Sequence, residues 1–182
     1  MSSKSNLMQM VLATVTALGL SAALAVGALA QDRFPSFTFD DLNGQSKTIP
    51  RDFPGDPTIV FIAYKQRQQG AVNTWIAELG LDASMGPEFI ELPVVGTGAK
   101  VMRSFIDNGM RSGIVDPAMR ARTVTIYDSP SKVNDPLGFS GRDDIRVLLV
   151  RPNGEVIWKT SGPATAQAAE ALRAAYLKAG GT

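Results

Sequence analysis

Residues 145–159 leave this chain the least freedom. Ile145-Arg146-Val147-Leu148-Leu149-Val150-Arg151 and Glu155-Val156-Ile157-Trp158-Lys159 are dominated by β-branched and apolar residues, and Pro152-Asn153-Gly154 stands between them. Asn-Gly supplies the positive-φ positions a tight turn needs, so the segment predicts an antiparallel β-hairpin. Gly162-Pro163-Ala164-Thr165 then opens a helix that ends near Gly180-Gly181. Ala168, Ala169, Leu172, Ala175 and Tyr176 recur at helical spacing and form its core face.

The preceding residues alternate between strand and helix patterns. Phe34-Pro35-Ser36-Phe37-Thr38-Phe39 reads as a short strand, and Asp41-Leu42-Asn43-Gly44-Gln45 as a turn. Thr58-Ile59-Val60-Phe61-Ile62-Ala63-Tyr64 is apolar without alternation, as in a strand buried on both faces. The polar stretch Lys65-Gln66-Arg67-Gln68-Gln69-Gly70 leads into a helix over Ala71 to Leu81, with Val72, Trp75, Ile76 and Leu79 inward. Phe89 to Val95 predicts the next strand. Ala99 to Gly109 predicts a helix with Val101, Met102, Phe105 and Ile106 on its apolar face. Asp116-Pro117 reads as N-cap and first residue of a short helix, Thr123 to Tyr127 as a strand, and Asp128 to Gly141 as a loop. Strands alternating with helices predict an α/β sandwich around a mixed central sheet.

Residues 1–30 stand apart. Lys4 is their one charged side chain, Leu7 to Ala30 is rich in Leu, Val, Ala and Gly, and the segment ends Ala28-Leu29-Ala30. That is the pattern of a secretory signal peptide, with an uncleaved membrane anchor as the alternative, since Met8 to Ala30 is long enough to cross about 30 Å of hydrocarbon. Either way the domain over 31–182 is expected on the far side of a membrane, periplasmic or anchored to the inner membrane.

Composition narrows the chemistry. The 182 residues include no Cys and no His. Disulfide exchange by its own thiols, Cys-ligated metal, His-ligated metal and Ser-His-Asp hydrolysis are therefore excluded. With 18 Lys+Arg against 17 Asp+Glu, the net charge of +1 gives no basic face for nucleic acid. Neither a P-loop nor a GxGxxG pattern occurs: Gly96-Thr97-Gly98 follows a strand, but Val101 stands where the third glycine belongs. No cofactor and no metal are expected.

The order of elements, ending in a hairpin and one helix, resembles the three-layer thioredoxin-like sandwich. In that family a buried strand runs into a CxxC at a helix N-terminus. Here the matching strand runs into Lys65-Gln66-Arg67-Gln68-Gln69, with the two cysteine positions falling near Gln66 and Gln69. The family's cis-proline, counted back from Asn153-Gly154-Glu155-Val156, falls at Ile145 or Arg146, and no proline is there. A narrower resemblance is to the mitochondrial F0 ATP-synthase assembly chaperones, which are thioredoxin-like. It rests on Phe34-Pro35, Leu42-Asn43-Gly44, the stretch from Gln66 to Trp75, Gly109-Met110-Arg111, Asn153 to Trp158 and Gly162 to Thr165. The leader lacks the Arg-rich amphipathic pattern of a transit peptide, so a bacterial relative with an exported domain reconciles the two.

The resemblance implies a site at the former active-site loop. Lys65, Gln66, Arg67, Gln68 and Gln69 would meet a helix N-terminus, where free N–H groups favour a carboxylate, a phosphate or a peptide backbone. Arg146 would lie beside them. The competing reading is a solvated polar loop. Arg103, Arg111, Arg120 and Arg122 form a local basic stretch, opposed only by Asp107 and Asp116. Arg103 and Arg111 are candidates to face lipid headgroups or acidic loops of a membrane partner, against a solvated helix face. Trp158, if exposed, would add to a partner surface, while Trp75 reads as core. Asp40-Asp41 and Asp143-Asp144 are the carboxylate pairs; Asp40-Asp41 reads as a turn cap.

Three functions remain. The first is an exported, redox-inactive binding or assembly factor acting on a protein client, such as an F0 subunit or another inner-membrane complex. The second is a structural subunit of an envelope complex. The third is an enzyme using Lys65, Tyr64 or Tyr127.

Overall fold

The computed structural model describes residues 32–82 and 86–182. The expected leader lies outside them. Among the described residues no helix is long and apolar enough to cross a membrane.

Four strands make the central sheet in the order β4-β3-β5-β6. They are β3 (Thr58–Ala63), β4 (Phe89–Pro93), β5 (Arg146–Val150) and β6 (Val156–Ser161). The strand β3, apolar from Ile59 to Ala63, is internal, as its lack of alternation requires. It pairs in parallel with β4 and antiparallel with β5. The β5–β6 hairpin forms over Asn153-Gly154, with Gly154 at φ +88°. A Cβ there would stand 3.3 Å from the Phe34 carbonyl oxygen, so the turn needs glycine twice over.

Each sheet face is covered. On one, Val60, Ile62, Leu92 and Leu148 meet a small antiparallel hairpin of β1 (Phe37–Asp40) and β2 (Ser46–Ile49). Val133 and Leu137, from α4 (Pro130–Asn134) and the 3-10 turn after it, complete that layer. On the other, Ile59, Phe61, Val147 and Leu149 meet α1 (Gln69–Leu79) and α5 (Ala166–Lys178), which also pack on each other. Trp75 of α1 is fully buried there, and its indole N–H donates to the Gly162 carbonyl at 2.9 Å. The mixed sheet between two covering layers is the three-layer α/β sandwich expected from sequence.

Several expectations change. Segment 123–127 does not form a regular strand. It lies parallel along the β4 edge through isolated bridges, Glu91 to Thr123 and Val94 to Ile126. The Glu91 and Val95 N–H groups donate to Arg122 and Ile126 carbonyls, but the alternating donor between them belongs to Pro93, which has none. The expected loop 128–141 contains α4, started by the Ser129 N-cap with Pro130 at N1. The strand β2 follows a turn that sequence alone left open-ended.

The helix expected from residue 99 begins later, as α2 (Arg103–Gly113), after a 3-10 turn over Thr97–Met102. Of its expected apolar face only Ile106 is half-buried, and the other three residues are exposed. Val101 is 92% exposed, Phe105 75% and Met102 53%, and α2 buries no residue. The short α3 (Pro117–Ala121) follows, capped by the Asp116 side chain on the Ala118 N–H at 2.9 Å.

Candidate functional site: a groove beside the loop after β3

The chain leaves β3 at Ala63 and turns through Gln66–Gln68 into α1. Gln68 builds this turn. Its Oε1 accepts from the Tyr64 and Lys65 N–H groups at 2.7 and 3.1 Å. Its Nε2 donates to the Arg142 and Asp143 carbonyls at 3.0 and 2.9 Å. Those four bonds use the amide's usual capacity, and the side chain is buried. Lys65 Nζ meets Asp143 at 2.7 Å, and this bond holds the Asp143 carboxyl below its ordinary range. Gln66, Arg67 and Gln69 are exposed, so they are the part of the loop that faces outward.

Arg146 is buried beneath the same loop, at 6% exposure. Its guanidinium donates to Ser161 Oγ at 2.9 Å and to the Ser140 carbonyl at 2.5 Å. It stacks over the Phe139 ring at 4.9 Å and lies 5.9 Å from the Tyr64 ring centre. The Tyr64 hydroxyl donates to Asn134 Oδ1. Arg146 therefore ties the loop 138–144 to the sheet from inside through its two terminal nitrogens, while its Nε is buried without a hydrogen-bond partner.

A groove of about 900 Å³ opens beside the loop, between α1 and α2. Its floor is the sheet face carrying Phe61, Ala63, Glu91 and Pro93; Val72 and Ile76 of α1 form one wall, and Phe105 and Met110 of α2 the other. The groove exists because α2 stands off the sheet. Polar latches hold the helix in place. The Tyr127 hydroxyl donates to Asp107 Oδ1 at 2.6 Å, and Arg103 reaches Asp40 at 2.8 Å while lying over the Tyr127 ring. Arg111 donates to the Leu42 carbonyl at 2.6 Å, and Arg120 donates to the Ile114 and Arg111 carbonyls.

The basic stretch is thus spent inside the molecule. Arg103 and Arg111 fasten α2 to the β1–β2 hairpin and its turn, and Arg122 pairs with Glu88 at 2.5 Å. Trp158 is half-buried, edge-on to Trp75 with ring centres 6.2 Å apart. Of the paired carboxylates, Asp41 caps its turn by accepting from the Asn43 and Gln45 N–H groups, both at 2.9 Å.

Glu91 is the residue sequence reasoning passed over. Its place on β4, opposite Phe61, points it at the α1 face and into the groove floor. It is 8% exposed, and burial raises its carboxyl above the usual glutamate range. Gln69 Nε2 lies 3.3 Å from Glu91 Oε2 and also donates to Asn73. A signal was present: one acid in the apolar run Phe89-Ile90-Glu91-Leu92. Burial raises the hydroxyls of both Tyr64 and Tyr127, and the Asp107 carboxylate raises Tyr127 further.

No family model and no curated protein matches this chain. Solved structures do match. The pneumococcal exposed lipoprotein thioredoxin of Streptococcus pneumoniae is 14% identical, with a TM-score of 0.51, over 78% of this chain and 98% of that one. A thio-disulfide isomerase of Thermus thermophilus is 18% identical, also at 0.51, over 84% of this chain and 97% of that one. The chain has the thioredoxin-like fold, carried without a single cysteine.

Proposed function

We propose that this protein is an exported, redox-inactive binding factor that uses the thioredoxin-like scaffold to hold a segment of a protein client. The observation that carries the reading is the groove itself. It opens beside Gln66 and Gln69, where the family's cysteines would stand, and its α2 lip leaves Phe105 exposed to solvent. Contiguous exposed apolar surface on a small domain is a common mark of a partner site. Val101 and Met102, in the turn that leads into α2, are exposed as well. With no thiol in the chain, contact with a client at this position ends in binding rather than exchange.

The client class is our reading of the sequence. The leader pattern over 1–30 favours export, and the likeness to an exposed lipoprotein thioredoxin is in keeping with that side of the membrane. The short motifs by which the sequence resembles the F0 assembly chaperones are our ground for choosing subunits of a membrane complex as clients, an F0 subunit first among them. The test is quantitative co-purification from native membranes with the full chain, wild type against Phe105→Glu and against Glu170→Lys on α5. Membrane-complex subunits lost with Phe105→Glu and kept with Glu170→Lys support the reading. Equal recovery with all three proteins overturns it.

A further inference from the structure

The groove has a chemical preference written into its floor. Among the described residues lining it, Glu91 is the only acid and Lys65 the only base. Lys65 is turned to Asp143 at 2.7 Å, so its charge is already met at the rim. Glu91 is different. It is more than nine-tenths buried, it points into the open volume, and the neighbour within hydrogen-bonding reach is a neutral amide at 3.3 Å. Glu91 takes part in none of the ion pairs among the described residues; Arg122, on the neighbouring edge segment, pairs with Glu88 and lies over the Phe89 ring at 5.0 Å. A buried carboxylate is costly unless a positive partner or several donors meet it. The remaining surface of the groove is mostly apolar, supplied by Phe61, Val72, Ile76, Phe105 and Met110.

Resting on the binding reading above, we infer that the groove recognises an apolar client segment carrying one lysine or arginine, whose cationic head meets Glu91. A basic side chain suits the site by its own build. Its methylene stem lies along apolar walls while its head seeks an acid. The volume of about 900 Å³ lies near the upper end for ligand pockets, roughly 300–1,000 Å³, and leaves room for flanking apolar residues. Discrimination is strongest against a segment with an acid at that position, because two carboxylates would then share a dry site. Gln69 serves as a positioning residue: its amide holds the Glu91 head and is itself held by Asn73.

The test uses the full chain and four pools of nine-residue peptides of Leu, Ala and Val, identical except for a central Lys, Arg, norleucine or Glu. Retention is measured on immobilised wild type, Glu91→Gln and Phe105→Ser. The expected result is at least tenfold preference of wild type for the Lys and Arg pools over norleucine, with the Glu pool weakest. Glu91→Gln should shrink that preference below twofold while keeping the norleucine pool. Equal retention of Lys, Arg and norleucine by wild type, or an undiminished preference in Glu91→Gln, overturns the inference and leaves the groove standing. Failure of wild type to retain any pool better than Phe105→Ser does removes the groove reading, and the inference with it.

Discussion

Gln69 Nε2 lies 3.3 Å from Glu91 Oε2, joining the first residue of α1 to the middle of β4 across the floor of the groove. The contact links two features of this protein. By the thioredoxin resemblance Gln69 is expected near the second cysteine position, and Glu91 is the buried acid that the sandwich places beneath it.

Glu91 gives a pH prediction with a definite sign. Burial raises its carboxyl in the folded state relative to the unfolded chain. The folded state then holds the proton more tightly. Its contribution to stability is full below the unfolded value and is lost as pH rises through the folded one. Glu91→Gln removes the cost of burying the charge. Near pH 7 the variant should melt above wild type, and the difference should close near pH 4. Melting curves by circular dichroism check this, and a variant less stable than wild type at pH 7 would contradict it.

Gln68 and Gln66 are neighbours in kind but not in role. Gln68→Ala removes four hydrogen bonds and strands backbone groups on both sides of the turn, and should cost about 2 kcal/mol or more. Gln66→Ala, alone or with Arg67→Ala, changes exposed side chains and should stay within about 0.5 kcal/mol. Urea unfolding distinguishes the two. Similar losses in both variants would mean that Gln68 does not build the turn.

The polar latches of α2 make its attachment separable from the core. Tyr127→Phe removes the bond to Asp107 at no cost in volume and should destabilise by about 1 kcal/mol. The effect should concentrate in amide exchange over 103–113, because few buried contacts hold that helix. Exchange raised equally in α5 would show that α2 is instead part of the cooperative core.

Phe105 separates binding from folding. Phe105→Ser alters a side chain that is 75% exposed and should leave stability within about 0.5 kcal/mol. Retention of the Lys peptide pool should fall about tenfold, roughly 1.4 kcal/mol. Loss of stability in step with loss of binding would argue that Phe105 is structural.

The sheet was readable because its signals are local. Asn153-Gly154 fixes one hairpin, and the unbroken run from Thr58 marks the strand buried on both faces. The α2 region was not readable in the same way. Val101, Met102 and Phe105 carry the spacing of a core face, but periodicity says only that apolar residues share a side, not that anything covers it. The arginines misled for a related reason. Arg103 and Arg111 find acceptors at Asp40 and Leu42, more than sixty residues away, which no local pattern encodes. Arg146 stands one position from a loop boundary in sequence, and only the packing of Phe139 and Tyr64 around it shows that it is enclosed. Glu91 needed the register with Phe61 to reveal which face it takes.

Site-specific photo-crosslinking in cells with native membranes tests the central claim most directly. A photoreactive residue at Gln66 or Phe105 stands at the groove, and one at Glu170 stands on the exposed side of α5. The account predicts that subunits of one membrane complex are captured from both groove positions and not from α5, and that Glu91→Gln weakens the capture. Capture of the same subunits from all three positions, or from Glu170 alone, would contradict it.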